Sequence, residues 1–77
     1  MEKKTERNMI AILRTLRDAP GPLGAERIAE QLGAAGAHLS ERAVRNYLAQ
    51  ADVNGWTRNL GRRGRTLTAS GRQEADG

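Results

Sequence analysis

The residues best suited to chemistry in this sequence are arginines, and they cluster in the segment 39–65. That segment holds six arginines and two acidic residues, so its surplus of four positive charges equals the formal charge of the whole 77-residue chain. An arginine can bond two acceptors of guanine at once, and an asparagine can do the same with adenine. This concentration of charge predicts binding to a polyanion rather than catalysis.

The spacing of apolar residues predicts that the first half of this segment is a helix. Ser40 can cap its first turn by accepting a hydrogen bond from a free backbone N–H group. Gly55 can end the helix, because glycine tolerates the left-handed conformation of a C-terminal cap. The inward face is expected to carry Val44, Leu48 and Ala51.

The opposite face of this helix carries polar and basic side chains that we expect to enter the major groove of DNA. The alternative is a solvated helix face, on which Glu41 and Arg45 form an ion pair one turn apart. The residues predicted to contact DNA from this helix are Ser40, Arg42, Arg45, Asn46 and Ala49.

A hairpin, called the wing below, is predicted after this helix, with strands at 56–60 and 65–68 around the loop 61–64. Strict alternation would place Trp56, Arg58 and Leu60 on one face, where Arg58 does not belong with the two apolar residues. We therefore expect either a bulge or an Arg58 side chain that lies along the edge with its head in water. Trp56 is predicted to belong to the core. Base-stacking sites usually array several aromatic residues, and Trp56 and Tyr47 are the only two in this sequence. The residues predicted to contact DNA from the wing are Arg58, Arg62, Arg63 and Arg65. The alternative for the loop 61–64 is an ordinary solvent-exposed turn that contacts no DNA.

Two further helices are expected to hold this basic unit in place. The first runs from Thr5 to about Asp18, and residues 19–22 end it with two prolines and a glycine. Leu23 is predicted to make a one-residue strand contact with the wing. The second helix runs from about Ala25 to Ala35, and Gly36 is its predicted C-terminal cap. A glycine turn at 36–39 joins it to the basic helix, as in a helix-turn-helix. The inward residues are predicted to be Met9, Ile12, Leu13 and Leu16 in the first helix and Ile28, Ala29 and Leu32 in the second.

The ends of the chain are expected to contribute little. Residues 69–74 are predicted to form one helical turn capped by Thr68. Residues 1–4 are expected to be frayed and residues 75–77 to be untethered. The sequence thus predicts a single domain over residues 1–77 that is ordered from about residue 5 to residue 72.

The sequence contains no evident catalytic or metal-binding constellation. With one histidine and no cysteine, it leaves no nucleophile–base pair to identify and excludes disulfides and thiolate metal sites. His38 is therefore predicted to be a turn residue, and neither an enzymatic activity nor a cofactor or metal is expected. No apolar run approaches the about 20 residues of a membrane span, and the N-terminus lacks the apolar segment of a signal peptide. These features predict a cytoplasmic protein without membrane contact.

Four stretches carry a resemblance to a known family: IAEQL in the second helix, ERAVRNYL in the third, NGW-T after it, and LGRRGRTLTASG through the wing. Together they resemble the winged-helix domain of NrpR-type nitrogen-regulation repressors, which is related to the winged-helix segment of ribonuclease R. The resemblance covers residues 9–72. It implies an α+β, mainly α, winged helix-turn-helix with three helices and a two- or three-stranded β-wing. It also implies duplex DNA as the ligand and transcriptional repression as the role.

These observations predict sequence-specific binding of double-stranded DNA by the reading head of a transcriptional regulator, expected to be a repressor. The alternatives are an RNA-contacting winged helix of the ribonuclease R type and a protein-interaction module. A homodimer is expected, because one small reading head contacts few base pairs. Ile10 and the N-terminal residues are the predicted contact, unless Ile10 belongs to the rim of the core. Full repressors of this kind have a C-terminal region that senses 2-oxoglutarate. That region is absent from this sequence, so we do not extend the sensing function to it.

Overall fold

The computed structural model describes residues 3–77, and its elements follow the predicted order with one addition at the end. Two antiparallel strands form the only sheet within this range, and a short 3-10 helix at Gly61–Arg63 connects them. The prediction of a mainly α winged helix is confirmed, with four helices instead of three. The elements are α1 (Lys3–Asp18), α2 (Ala25–Ala34), α3 (Glu41–Val53), β1 (Thr57–Asn59), β2 (Arg65–Leu67) and α4 (Ala69–Asp76).

The core consists of two adjoining clusters of buried side chains. Helix α1 contributes to both, because Ile12 and Leu16 face α2 and α3 whereas Met9 and Leu13 face α4. All four are buried, as their helical spacing predicted. The first cluster comprises Ile12, Leu16, Ala25, Ile28, Leu32, Val44 and Leu48. The second comprises Met9, Leu13, Ala51 and Ala75.

Helices α2 and α3 both end in a glycine with positive φ, as predicted. Gly36, at φ 90°, lets the N–H of Ala37 donate to the carbonyl of Leu32 at 2.8 Å. Gly55, at φ 79°, lets the N–H of Trp56 donate to the carbonyl of Ala51 at 2.9 Å. These caps satisfy carbonyl groups that a helix end otherwise leaves free, and they turn the chain sharply toward the next element.

The wing is a regular ladder without a bulge. Thr57 pairs with Leu67, and the next two pairs follow in register. The residue of β1 that points inward is Thr57, which is 5% exposed, so the strand does not bury the face of Arg58. Of the two alternatives expected for Arg58, the bulge is absent. Arg58 is exposed. The strand contact predicted for Leu23 is confirmed, since it exchanges two backbone hydrogen bonds with Arg65, at 3.1 and 2.8 Å.

The C-terminal segment differs most from the sequence prediction. Thr68 caps α4 as expected, by accepting a hydrogen bond from the N–H of Gly71 at 3.0 Å. The helix nevertheless continues to Asp76, and Ala75 is fully buried in the second cluster. The Nε of Arg14 donates to the carbonyl of Ala75 at 2.9 Å. The prediction that residues 75–77 are untethered was therefore wrong for this helix.

The N-terminal boundary also differs from the sequence prediction. Helix α1 begins at Lys3, two residues before the expected start at Thr5. Lys3 and Lys4 are therefore helical, whereas the prediction of fraying at Met1 and Glu2 lies outside the described residues. None of the helices from residue 3 onward combines the length and the apolar composition that a membrane span requires.

Candidate nucleic-acid interface

Helix α3 is fixed at its start by a cap and along its length by the first core cluster. The Oγ of Ser40 accepts a hydrogen bond from the N–H of Ala43 at 3.0 Å. Val44, Leu48 and Ala51 are fully buried, as predicted. With one face fastened in this way, the orientation of the opposite face follows from the 3.6-residue period of the helix.

The opposite face presents the predicted contact residues to solvent. Arg42, Asn46 and Ala49 are all exposed, and helical spacing places them roughly opposite the buried face. Ser40 is exposed as well, although its oxygen already serves the helix cap. One further residue on this face was missed by the sequence analysis. Val53, the last residue of α3, is 87% exposed.

Arg45 lies to one side of this face and pairs with Glu41, four residues earlier. The ion pair that was the alternative to DNA contact is thus present in the structure. The two side chains are 67% and 42% exposed. An ion pair this open to water contributes less than about 1 kcal/mol, so the guanidinium can exchange its carboxylate for a phosphate or a base edge at small cost.

The tip of the wing presents two arginines from an ordered turn. Arg62 and Arg63 are both exposed. The turn beneath them is held by Asn59, whose Oδ1 accepts a hydrogen bond from the N–H of Gly61 at 2.8 Å. The N–H of Leu60 also donates to the carbonyl of Gly64 at 2.8 Å, which closes the turn. The wing therefore offers guanidinium groups on a backbone that is already fixed.

Arg65 occupies a different environment from the other wing arginines. Its side chain is 19% exposed, and its Nη2 donates to Oδ2 of Asp52 on α3 at 2.8 Å. The Oγ1 of Thr57 donates to the other carboxylate oxygen at 2.5 Å. The structure therefore places Arg65 in an ion pair between the wing and α3, whereas we predicted from the sequence that it contacts phosphates. The sequence gives no signal for this pair, because Asp52 and Arg65 belong to different elements.

The environment of Asp52 explains how this bond remains charged. Partial burial alone would raise the pKa of the Asp52 carboxyl group. The hydrogen bonds from Arg65 and Thr57 outweigh burial, and they hold that pKa below its usual value. The carboxylate is thus ionised at neutral pH and anchors both strands of the wing to the end of α3.

The aromatic residues do not form a stacking platform. The chain contains one tryptophan, one tyrosine and no phenylalanine. Trp56 is half-buried against the second core cluster, so the prediction that it belongs to the core is confirmed only in part, and it lines a cavity of about 580 Å³ together with residues of α1, α3 and α4. Tyr47 is also half-buried, and its hydroxyl accepts a hydrogen bond from Asn8 at 3.0 Å. A single-strand site usually needs several exposed rings on one surface.

The remaining candidates carry no evident chemistry of their own. His38 is exposed in the turn between α2 and α3, with its ring beside Gly33. In the part of the chain that the structure describes, no group of three or more His, Asp or Glu side chains is arranged to hold a metal ion. Ile10 is half-buried and lines two shallow cavities beside α1, so it is available both to the core rim and to a partner.

Comparison with known proteins assigns this architecture to a family. The model of the ribonuclease R winged-helix domain matches residues 10–75. The chain is 42% identical over 74 residues to the global nitrogen regulator NrpRI of Methanosarcina mazei, covering 96% of this chain and 23% of that protein. It is 40% identical over 67 residues to NrpR of Methanococcus maripaludis, covering 87% of this chain and 12% of that protein.

A third regulator, NrpR of Methanocaldococcus jannaschii, is 37% identical over 71 residues, covering 92% of this chain and 13% of that protein. The chain thus spans less than a quarter of the length of each of these three relatives. No solved structure matches it. The resemblance to NrpR-type regulators is confirmed, and the chain belongs to the ribonuclease R winged-helix domain family.

Proposed function

We propose that this domain binds double-stranded DNA sequence-specifically, as the reading head of a transcriptional regulator that acts as a repressor. One observation carries the proposal: the exposed face of α3 and the tip of the wing both present arginines, and the Asp52–Arg65 pair fastens these two elements to each other. Two basic elements with a fixed separation match a duplex, whose groove and flanking phosphates also have a fixed separation.

The two elements have different roles in this proposal. Arg42 and Asn46 project from the first half of α3, where side chains reach base edges when such a helix enters the major groove. Arg62 and Arg63 are at the wing tip and contact phosphates, which are alike in every sequence. Arg45 joins the base-reading group after leaving Glu41, and Arg58 joins the phosphate-binding group.

The relatives support the regulatory part of the proposal. All three are named global nitrogen regulators, and each contains a segment that matches most of this chain. We further propose that the domain works in the cytoplasm as a homodimer on a palindromic site, with Ile10 in the contact between protomers. Two copies would multiply the specificity that one α3 can supply. We assign the domain no catalytic role.

A binding titration at several salt concentrations, on a duplex selected from a random library and on random duplex, tests the proposal. Asn46→Ala should weaken binding to the selected duplex by about 1–3 kcal/mol and to random duplex much less, because it removes a base contact. The Arg62→Ala/Arg63→Ala double variant should weaken both equally and flatten the log–log salt slope by about two units. Arg72→Ala, an exposed arginine on α4, is the matched control and should change neither.

Two results would refute the proposal. If the wing pair governs sequence preference while Asn46 only shifts overall affinity, the roles of α3 and the wing are reversed. If binding to nucleic acid shows almost no salt dependence, the domain is a protein-interaction module instead.

A second candidate function is RNA contact, which the match to the ribonuclease R family favours. Trp56 retains an exposed edge that a single unstacked base could reach. One exposed edge is a small surface for this purpose, so we rank this function below duplex binding. A competition shift assay separates the two: single-stranded RNA that displaces the selected duplex at equal concentration would favour RNA contact.

A further inference from the structure

The exposed face of α3 changes its chemistry along its length. Its first half carries Arg42 and Asn46, whose polar groups are suited to the nitrogen and oxygen atoms of purine edges. Its second half carries Ala49 and Val53, which offer only methyl groups, beside the exposed amide of Gln50. Val53 is 87% exposed, and it is the only exposed large hydrophobic residue in the part of the chain that the structure describes.

Neither the core nor the helix accounts for a valine at this position. Val53 projects roughly opposite the buried Val44, Leu48 and Ala51, so it cannot join the core cluster. It lines a shallow concavity with Ala49 and the neighbouring polar residues Gln50 and Asn54. A β-branched residue is also a poorer helix former than alanine or lysine. An exposed apolar residue of low helix propensity, on a surface that is proposed to contact DNA bases, is a candidate for ligand contact.

We propose that Val53, together with Ala49, reads thymine by packing against its C5-methyl group in the major groove. This inference rests on the proposed function and deepens it. Thymine is the only standard DNA base that presents a methyl group there, and small apolar side chains are its usual partners. Arg42 and Asn46 in the first half of α3 then read purines, and Ala49 and Val53 in the second half read thymine.

The surroundings of Val53 favour DNA over a protein partner. Two exposed apolar side chains form a patch far smaller than the about 800 Å² per partner that a stable protein interface buries. The same exposed face begins with Arg42, and the wing fastened to the end of α3 carries Arg62 and Arg63. A small apolar patch on a helix face that also carries an arginine suits a ligand that combines methyl groups with phosphates.

The helix geometry also fixes the spacing of the two contacts. Arg42 and Val53 are separated along the axis of α3 by roughly 16 Å, at about 1.5 Å per residue. The rise of about 3.4 Å per base pair is measured along the DNA axis, and the groove winds around that axis, so each base pair occupies more than about 3.4 Å of groove. The thymine that Val53 contacts should therefore lie fewer than about five base pairs from the base that Arg42 contacts.

The test uses the whole chain and duplexes that it selects from a random library. Each thymine of the selected duplex is replaced in turn by deoxyuridine, which lacks only the C5-methyl group. At one position, deoxyuridine should weaken binding about fourfold, the effect of losing one buried methyl contact. Val53→Ala should reduce the difference between the thymine and deoxyuridine versions of that position, because only Ala49 and the smaller alanine side chain then remain to contact the methyl group, whereas Arg72→Ala should retain the fourfold difference.

The outcomes separate this inference from the function on which it rests. If Val53→Ala leaves every deoxyuridine effect unchanged, or if no position shows an effect, the inference is overturned while sequence-specific binding stands. If the chain selects no preferred sequence at all, the proposed function fails and the inference with it. Val53→Ala should melt at or slightly above the wild-type temperature, since the side chain is exposed and alanine is the better helix former, and this comparison excludes misfolding as the cause of an effect.

Discussion

Alanine in place of Gly71 should destabilise this domain, although replacing glycine inside a helix usually has the opposite effect. Gly71 lies in the first turn of α4, and a Cβ atom there would lie 1.9 Å from the carbonyl oxygen of Trp56 and 3.1 Å from Cδ2 of Leu67. That carbonyl is backbone, and it accepts the N–H of Thr68 at 3.0 Å. It cannot turn aside without breaking the hydrogen bond, so α4 would have to move away from the second core cluster.

The expected magnitude follows from three opposing contributions. Overpacking costs about 1–3 kcal/mol, and the loss of the hydrogen bond from Thr68 costs about 1 kcal/mol more. Replacing glycine by alanine in a helix returns up to about 1 kcal/mol. Gly71→Ala should therefore lose about 1–3 kcal/mol. In a domain of this size each kcal/mol lowers the melting temperature by about 4–8 °C.

Gly33 provides the matched control for this experiment. It also lies inside a helix, but a Cβ atom there would meet only the ring of His38, at 3.5 Å and beyond. This distance is an ordinary van der Waals contact, so Gly33→Ala should raise stability by about 0.5–1 kcal/mol. Thermal unfolding followed by far-UV circular dichroism measures both variants. A Gly71→Ala protein that melts at or above the wild-type temperature would refute the close packing of α4 against Trp56.

Two further outcomes are expected. Folding lowers the pKa of Asp52, so its ionised carboxylate stabilises the fold fully at a pH above the unfolded-state pKa of about 3.9. This stabilisation is lost as the pH falls through the lower pKa of the folded state. Asp52→Asn should therefore flatten the acid side of a profile of melting temperature against pH, and an unchanged profile would argue against the Asp52–Arg65 bond. Trp56→Ala should cost about 2–3 kcal/mol in urea unfolding, below the usual loss for a fully buried ring. A variant that keeps its stability but loses nucleic acid would instead assign Trp56 to base stacking.

The helix-turn-helix was predictable because its signals are local. Ser40, Gly36 and Gly55 mark helix ends through backbone chemistry that extends over a few residues, and the structure has the predicted cap at each of them. The inward stripe of α1 follows from spacing within one helix. In each of these cases the deciding interaction lies within about one or two turns of the residue that signals it.

What could not be predicted depends on contacts between elements distant in sequence. Arg65 resembles Arg62 and Arg63 in the sequence, and only the position of Asp52 on α3 distinguishes it. The second half of α4 has one apolar residue, Ala75, which is too small to create a periodic signal. Its burial becomes apparent only when Met9 and Leu13 are seen to face it from α1. Val53 is different, because helical spacing alone places it opposite Val44, Leu48 and Ala51, so its exposure was predictable from the sequence.

The packing of α4 on α1 has a consequence for how a newly made chain can fold. Arg14 and Ala75, which are hydrogen-bonded to each other, are 61 positions apart in the sequence. Every residue of the first core cluster, by contrast, has been synthesised once Leu48 has been added. Because synthesis proceeds from the N-terminus, a nascent chain can assemble the helix-turn-helix while Met9 and Leu13 are still uncovered. We expect closure by α4 to be the last step of folding on the ribosome.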